Sequence, residues 1–209
     1  MLFLFLAGRT SLAQEQKDWD WVNKHFFNVL DELMPLEERP GLSLGYRSYR
    51  DLHTDEPEYS FVFNRILQER QITVTVRQPQ SSSIYDQLMA LHLKNANQSI
   101  ERIKKQLKVK EQHFSERACP AVRAQYEQFY RLTLEMLTDK ERAEQARGEI
   151  TLTLHPRVHT FKADIFGGRF QLDLTEQEHP FVIWARSTRE ALERCNSNVT
   201  KPSRRDERR

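Results

Sequence analysis

Tyrosines and arginines alternate in Gly45-Tyr-Arg-Ser-Tyr-Arg50, a stretch whose residue types suit it to gripping another molecule. Flat phenol rings stack with little loss of side-chain entropy, and guanidinium forks clasp anions or carbohydrate hydroxyls. On a strand, alternation puts Tyr46 with Arg50 on one face and Arg47 with Tyr49 on the other. Tyr46, Arg47, Tyr49 and Arg50 are therefore the candidate ligand-binding residues. The same pattern also suits a half-buried strand with Tyr46 in the core and the arginine stems lying along apolar surface.

Residue types able to do catalysis are present without the spacing that catalysis needs. His155 and His159, with Asp164 nearby, are the best metal-like set, because residues four apart on one strand share a face. Pro156 interrupts that strand, so no metal site is assigned. The Gly-x-Ser-x-Gly turn of many hydrolases is missing, and Leu42-Ser-Leu-Gly-Tyr46 supplies only one of its glycines. Neither Gly-x-Gly-x-x-Gly nor a P-loop occurs, and no cofactor is implied. The acid pairs Glu37-Glu38, Asp55-Glu56 and Glu176 with Glu178 serve acid–base chemistry only if folding brings two carboxyls across a cleft and raises one pKa. Sequons stand at Asn97-Gln-Ser99, inside a predicted helix, and at Asn198-Val-Thr200.

Cys119 and Cys195 are the only cysteines. Two lone cysteines in an oxidising compartment are expected to pair, closing a long loop. The N-terminus points to such a compartment. An apolar run, Leu2 to Ala7, precedes the small-residue pattern Ser11-Leu-Ala13 and then sudden charge at Glu15, Lys17, Asp18 and Asp20. That order matches a signal peptide over residues 1–13, cut before Gln14. The basic segment that usually opens such a signal is absent and the apolar run is short, so the recorded Met1 fits a position inside a longer signal. A loose apolar terminus or a first buried strand is the competing reading. The expected location is periplasmic or secreted.

The chain has 209 residues, 38% hydrophobic and 30% charged, with a formal net charge of +2. Residues 14–200 suit one domain. Five basic and two acidic residues crowd the tail at 201–209, read as a disordered appendage, which leaves the body close to neutral. A body without a broad basic field is not built to replace the counterions of nucleic acid. No stretch of the expected mature chain is apolar for long enough to span a bilayer.

Periodicity supplies the elements. Trp19, Val22, Phe26, Val29, Leu30 and Leu33 recur at three and four residues, predicting an amphipathic helix from an Asp18 N-cap to the break at Pro35. Strands are predicted at 42–50, 59–67 and 71–78; in the last, Ile72, Val74 and Val76 share a buried face. A capping box at Ser83 and Asp86 opens a predicted long helix to about Lys110, and a second helix begins near Pro120, the two forming a hairpin over about 83–138. Strand chemistry returns at 149–154, 158–166 and 169–174, with Gly167-Gly168 joining the last two, and at Pro180–Trp184. A second box, Ser187 with Glu190, opens a terminal helix to about Cys195.

The expected fold is α+β: an antiparallel sheet built from strand clusters at about 42–78 and 149–185, flanking the 83–138 hairpin, with helices at both termini. The expected function is an exported binding or interaction module for an extracytoplasmic partner or ligand, with self-association through the 83–138 hairpin as one route. A secreted hydrolase with an unrecognised site is the alternative.

Overall fold

The computed structural model describes residues 3–38, 43–50, 58–66, 71–138, 157–165, 168–175 and 177–199. Its elements are α1 (Phe3–Leu33), β1 (Ser43–Arg50), β2 (Tyr59–Ile66), β3 (Gln71–Pro79), α2 (Ile84–Lys94), α3 (Ile100–Lys104), β4 (Val109–Ser115), α4 (Ala121–Thr138), β5 (Arg157–Ile165), β6 (Gly168–Leu174) and α5 (Pro180–Val199). The strands form one antiparallel sheet in the order β4-β3-β2-β1-β5-β6. The α+β class holds.

Period-two alternation divides the sheet into two unlike faces. Leu44 and Tyr46 of β1, Tyr59, Phe61 and Phe63 of β2, Val74 and Val76 of β3, and Phe161 and Ala163 of β5 form one apolar face. It packs against α4 and α5 through Val122, Tyr126, Phe129, Phe181, Trp184 and Leu192. Trp184 is the largest wholly buried side chain, and its indole N–H donates to the Gln125 carbonyl at 2.9 Å. A buried ring keeps its one donor paired because an unmet donor there would cost on the order of 1–3 kcal/mol.

The opposite face carries Ser43, Gly45 and Arg47 of β1, Ser60 and Asn64 of β2, Thr75 and Arg77 of β3, and Lys162 of β5, all matched by the strand registers. A second apolar cluster of α1, α2 and α3 lies on this side, with Tyr49 and Val109 packed against it. Glu58 ties the cluster to the sheet by accepting from the Ile84 and Tyr85 amides at 2.8 and 3.4 Å, at the open end of α2. Burial pushes its carboxyl pKa up, against the pull of those backbone donors.

Several expected elements take other forms. The 83–138 segment is not a helical hairpin. Its stripe breaks at Asn95, the C-cap of α2, and resumes as the single-turn α3 from Ser99. The chain then enters β4, an edge strand where the turn of the helical hairpin was expected. Helices α2 and α4 therefore lie on opposite sides of the sheet, and self-association through a hairpin loses its basis. Asn97 sits exposed in the turn between α2 and α3 rather than in a helix.

Asp18 is not an N-cap, because α1 starts at Phe3 and runs through it; a first buried strand is thereby excluded. Pro180–Trp184 opens α5 instead of forming a strand. Phe181, Val182, Trp184, Ala185, Thr188, Ala191 and Leu192 are all buried on one helical stripe, a period that five residues are too short to display. Pro180 takes the first helical position, where its missing N–H costs nothing, and the Val182 and Ile183 amides donate back to the His179 carbonyl. Ser187 consequently lies mid-helix and caps nothing.

The β5–β6 hairpin is real, but Ile165 pairs with Gly168, so residues 166 and 167 connect the strands rather than Gly167-Gly168. The strand expected at 149–154, the tail at 201–209, and His155, Glu176, Asp55 and Glu56 lie outside the described residues. Half of the Ser83 box is present: its hydroxyl accepts from the Asp86 amide at 3.0 Å, while the Asp86 carboxylate accepts from that hydroxyl at 2.8 Å. Ile72, Val74 and Val76 are buried on one face as expected.

Candidate functional site

The candidate residues of β1 are divided between the faces. Tyr46 is buried in the aromatic core against Phe61 and Phe161, and its hydroxyl lies 2.8 Å from His159 Nδ1. Burial raises its pKa. Arg47 is buried on the opposite face, where its Nη1 donates to the Met34 carbonyl at 3.2 Å and contacts Asp31 at 2.6 Å. Tyr49 packs edge-on against Phe26 and Phe27, with the Arg47 guanidinium 5.8 Å from its ring. The Arg50 side chain lies outside the described residues. Tyr46 and Arg47 thus serve the interior, and Tyr46 lies on the face of β1 opposite Arg47 and Tyr49.

A coil of residues 34–38 crosses the polar face like a strap. Glu37 meets Lys162 at 2.6 Å on β5, and Glu38 meets Arg77 at 2.6 Å on β3 and accepts from Asn64 and Thr75. Just before these clamps the chain passes directly over Gly45: a Cβ there would stand 1.9 Å from the Leu36 carbonyl oxygen. The adjacent acids Glu37 and Glu38 are thus spent on ion pairs with separate strands, not on shared acid–base work.

Two buried histidines have polar partners. His159 faces Tyr46 through Nδ1 and the Gln177 amide through Nε2 at 3.1 Å, and burial with the charges of Arg157 and Arg186 lowers its pKa to about 4. His92 holds Asp18 through Nε2 at 3.1 Å and stacks on Trp21 with ring centroids 4.1 Å apart. Its Nδ1 is buried without a hydrogen-bond partner among the described residues. A hydrolytic triad needs a hydroxyl or thiol on that second nitrogen. His92 therefore has the acid of such an array without the nucleophile. No group of three or more possible metal ligands occurs among the described residues.

An open groove lies elsewhere, between the end of α5 and the β3–β4 side of the apolar face. It encloses about 110 Å³ and is lined by Tyr59, Val76, Gln78, Lys110, Gln112, Phe114, Leu192, Glu193 and Asn196. Tyr59, Val76, Phe114 and Leu192 make the apolar part; Gln78, Gln112 and Asn196 supply neutral polar groups. Lys110 and Glu193 bring opposite charges. Arg189 touches two of the lining residues, with its guanidinium 4.7 Å from the Tyr59 ring and its Nε 2.9 Å from Glu193. Desolvation raises the Tyr59 pKa, so the phenol stays protonated and can donate or accept.

Sequence reasoning missed this groove because its lining comes from β2, β3, β4 and α5, each contributing one to three unremarkable side chains. The one local signal, the alternation Lys110, Gln112, Phe114, falls where the turn between two helices was expected.

Cys119, at the entry of α4, is bonded to Cys195, near the end of α5, with Cα atoms 5.7 Å apart. The bond anchors the helix that forms one wall of the groove. No helix among the described residues is long and apolar enough to cross a membrane. No known protein family matches this chain, and no curated protein or solved structure matches it either.

Proposed function

We propose that the protein is an exported binding module whose ligand or partner is held in the groove between β3, β4 and α5. The observation that carries this reading is the groove's make-up: an apolar floor of Tyr59, Val76, Phe114 and Leu192 beneath neutral amides and one charge of each sign. Binding sites combine such a floor with a few placed polar groups. A volume of about 110 Å³ suits one residue-sized amphipathic group, such as a partner's side chain or a small zwitterion. Neither buried histidine borders the groove, which favours binding over hydrolysis.

Export is supported by the signal-like N-terminus and by the Cys119–Cys195 bond. The four residues after the expected cut, Gln14 to Lys17, are exposed, and Asp18 is the first buried side chain of α1 among those described. Cleavage before Gln14 therefore removes none of the described core contacts.

A native mass spectrum of the protein from the extracytoplasmic fraction tests both parts. The expected result is a chain beginning at Gln14, disulfide intact, carrying added mass that Gln78→Trp abolishes by filling the groove. A chain confined to the cytosol with Met1 retained and two reactive thiols overturns export. Bound mass that survives Gln78→Trp, or none in the wild type, overturns the groove.

A further inference from the structure

Strand β4 ends the sheet, and among the described residues it pairs only with β3. Which of its main-chain groups face outward follows from two bonds. The Gln80 amide donates to the Lys108 carbonyl and the Glu116 amide to the Ile72 carbonyl, both at 3.0 Å. In an antiparallel ladder, alternate residues bond to a given neighbour. Even-numbered residues of β4 therefore bond to β3, and Glu111 and His113 direct their N–H and C=O groups to the open side. Both side chains are exposed, on the sheet's polar face. The side chains of Lys110, Gln112 and Phe114 lie on the groove's face.

An open edge invites another strand, and charged side chains normally discourage it by placing like charges together. Here the charges discriminate among partners. For two copies of β4 meeting around a two-fold axis, outward-facing residues must oppose one another, so the axis passes through a residue. Centred on Glu111, the pairing puts two carboxylates face to face. Centred on His113, it runs past Ser115 into the turn at residues 116–118 and leaves Val109 unpaired. Centred on Gln112, the middle of the strand, the pairing stays within Val109–Ser115; the Ser115 carbonyl already accepts from the Ala118 and Cys119 amides of its own chain, so Glu111 and His113 carry the central main-chain bonds. Glu111 of each copy then opposes His113 of the other and exchanges both main-chain hydrogen bonds with it. On the groove face, Lys110 of each copy opposes Phe114 of the other, where the lysine stem covers the ring and the ammonium lies near its face.

We infer that β4 pairs with β4 of a second copy about a two-fold axis at Gln112, joining two sheets and completing the mouth of each groove with the other copy's Lys110. The two grooves then lie side by side on one face of a continuous sheet. A symmetric, self-complementary contact of this kind is the commonest route to a soluble dimer. It stands whether or not the groove takes a small ligand.

Sedimentation velocity and cysteine cross-linking of the full chain test the inference. Wild type is expected to dimerise as concentration rises. His113→Pro removes an edge-facing donor that no described residue uses, and is expected to weaken dimerisation at least about tenfold with an unchanged circular dichroism spectrum. At a non-hydrogen-bonded pair the two copies of residue 112 approach to about 4.5 Å between Cα atoms. Gln112→Cys is therefore expected to form a disulfide-linked dimer under mild oxidation, while Lys110→Cys alone does not. A wild type that stays monomeric, a dimer unaffected in a folded His113→Pro protein, or equal cross-linking at 110 and 112 overturns it. Should His113→Pro fail to fold, the two cysteine variants decide by themselves.

Discussion

Tyr46 and His159 meet across β1 and β5 with 2.8 Å between the phenol oxygen and Nδ1. The Gln177 amide nitrogen, 3.1 Å from Nε2, can only donate, so Nε2 accepts and the ring's one proton sits on Nδ1, facing Tyr46. Burial disfavours a second ring proton, and Arg157 and Arg186 add like charge. All three effects hold the ring neutral.

Stability should therefore fall in acid through this one histidine. Its folded pKa is about 4, against about 6.5 for an unfolded histidine, so the unfolded chain binds the extra proton between those values. The contribution is fully present above about pH 6.5 and is lost as pH falls to about 4, by roughly 2–3 kcal/mol. Glu58, whose carboxyl pKa burial raises, acts in the opposite sense. Urea unfolding at pH 7.5 and pH 4.5 measures the net loss. His159→Gln should flatten most of the slope; an unchanged slope would locate it elsewhere.

Gly45→Ala tests the strap over the polar face. The added methyl would collide with the Leu36 carbonyl, a backbone atom followed at once by the Glu37–Lys162 and Glu38–Arg77 clamps. Either the strap lifts and both pairs break, or β1 shifts within the sheet. The expected cost is about 3 kcal/mol, seen as a lower urea midpoint. A loss below about 0.5 kcal/mol would mean that the strap is loosely seated.

What was legible in the sequence follows from burial. Strands β1, β2 and β3 lie inside the sheet, and the alternation in Ile72-Thr-Val-Thr-Val-Arg77 survives because one face of it is wholly buried. Strand β4 has one neighbour among the described residues and no fully buried residue, so its Val-Lys-Glu-Gln-His-Phe-Ser sequence carries little apolar signal and reads as the turn between two helices. The first turns of α5 are rich in large apolar residues because they face the centre of the sheet, and five such residues look like a buried strand. Tyr46 and Arg47 were recognised as unusual, but chemistry suited to recognition also suits a buried hydrogen bond and a buried ion pair. Only the fold distinguishes these roles.

Removing the Cys119–Cys195 bond should cost stability mainly through the unfolded chain, which loses a long cross-link. For a separation of 76 residues the chain-entropy relation gives roughly 4 kcal/mol. Cys119→Ser with Cys195→Ser is expected to lower the urea midpoint accordingly. The α5 wall of the groove should loosen before the sheet does, since α5 would then hold to α4 by non-covalent contacts such as packing and the Gln125 bonds to Trp184 and Thr188. Hydrogen exchange by mass spectrometry checks the order: earlier exchange in residues 186–196 than in β1–β3 is expected, and simultaneous exchange would show that the helix and sheet open as one unit.

Two serines that look alike in sequence should respond differently to alanine. Ser83 precedes α2 and its hydroxyl accepts from the Asp86 amide, a donor left unpaired by the start of the helix. Ser83→Ala should cost about 1 kcal/mol, since the amide then depends on water. Ser187, followed three residues later by Glu190, has the same signature but lies two turns inside α5. There the backbone donors are already paired within the helix, and alanine is the better helix former, so Ser187→Ala should leave stability within about 0.5 kcal/mol and shift it upward. Urea midpoints of the two variants under identical conditions decide the matter. A loss at Ser187 equal to that at Ser83 would mean that α5 begins at the serine and that Pro180–Trp184 is held in some other conformation.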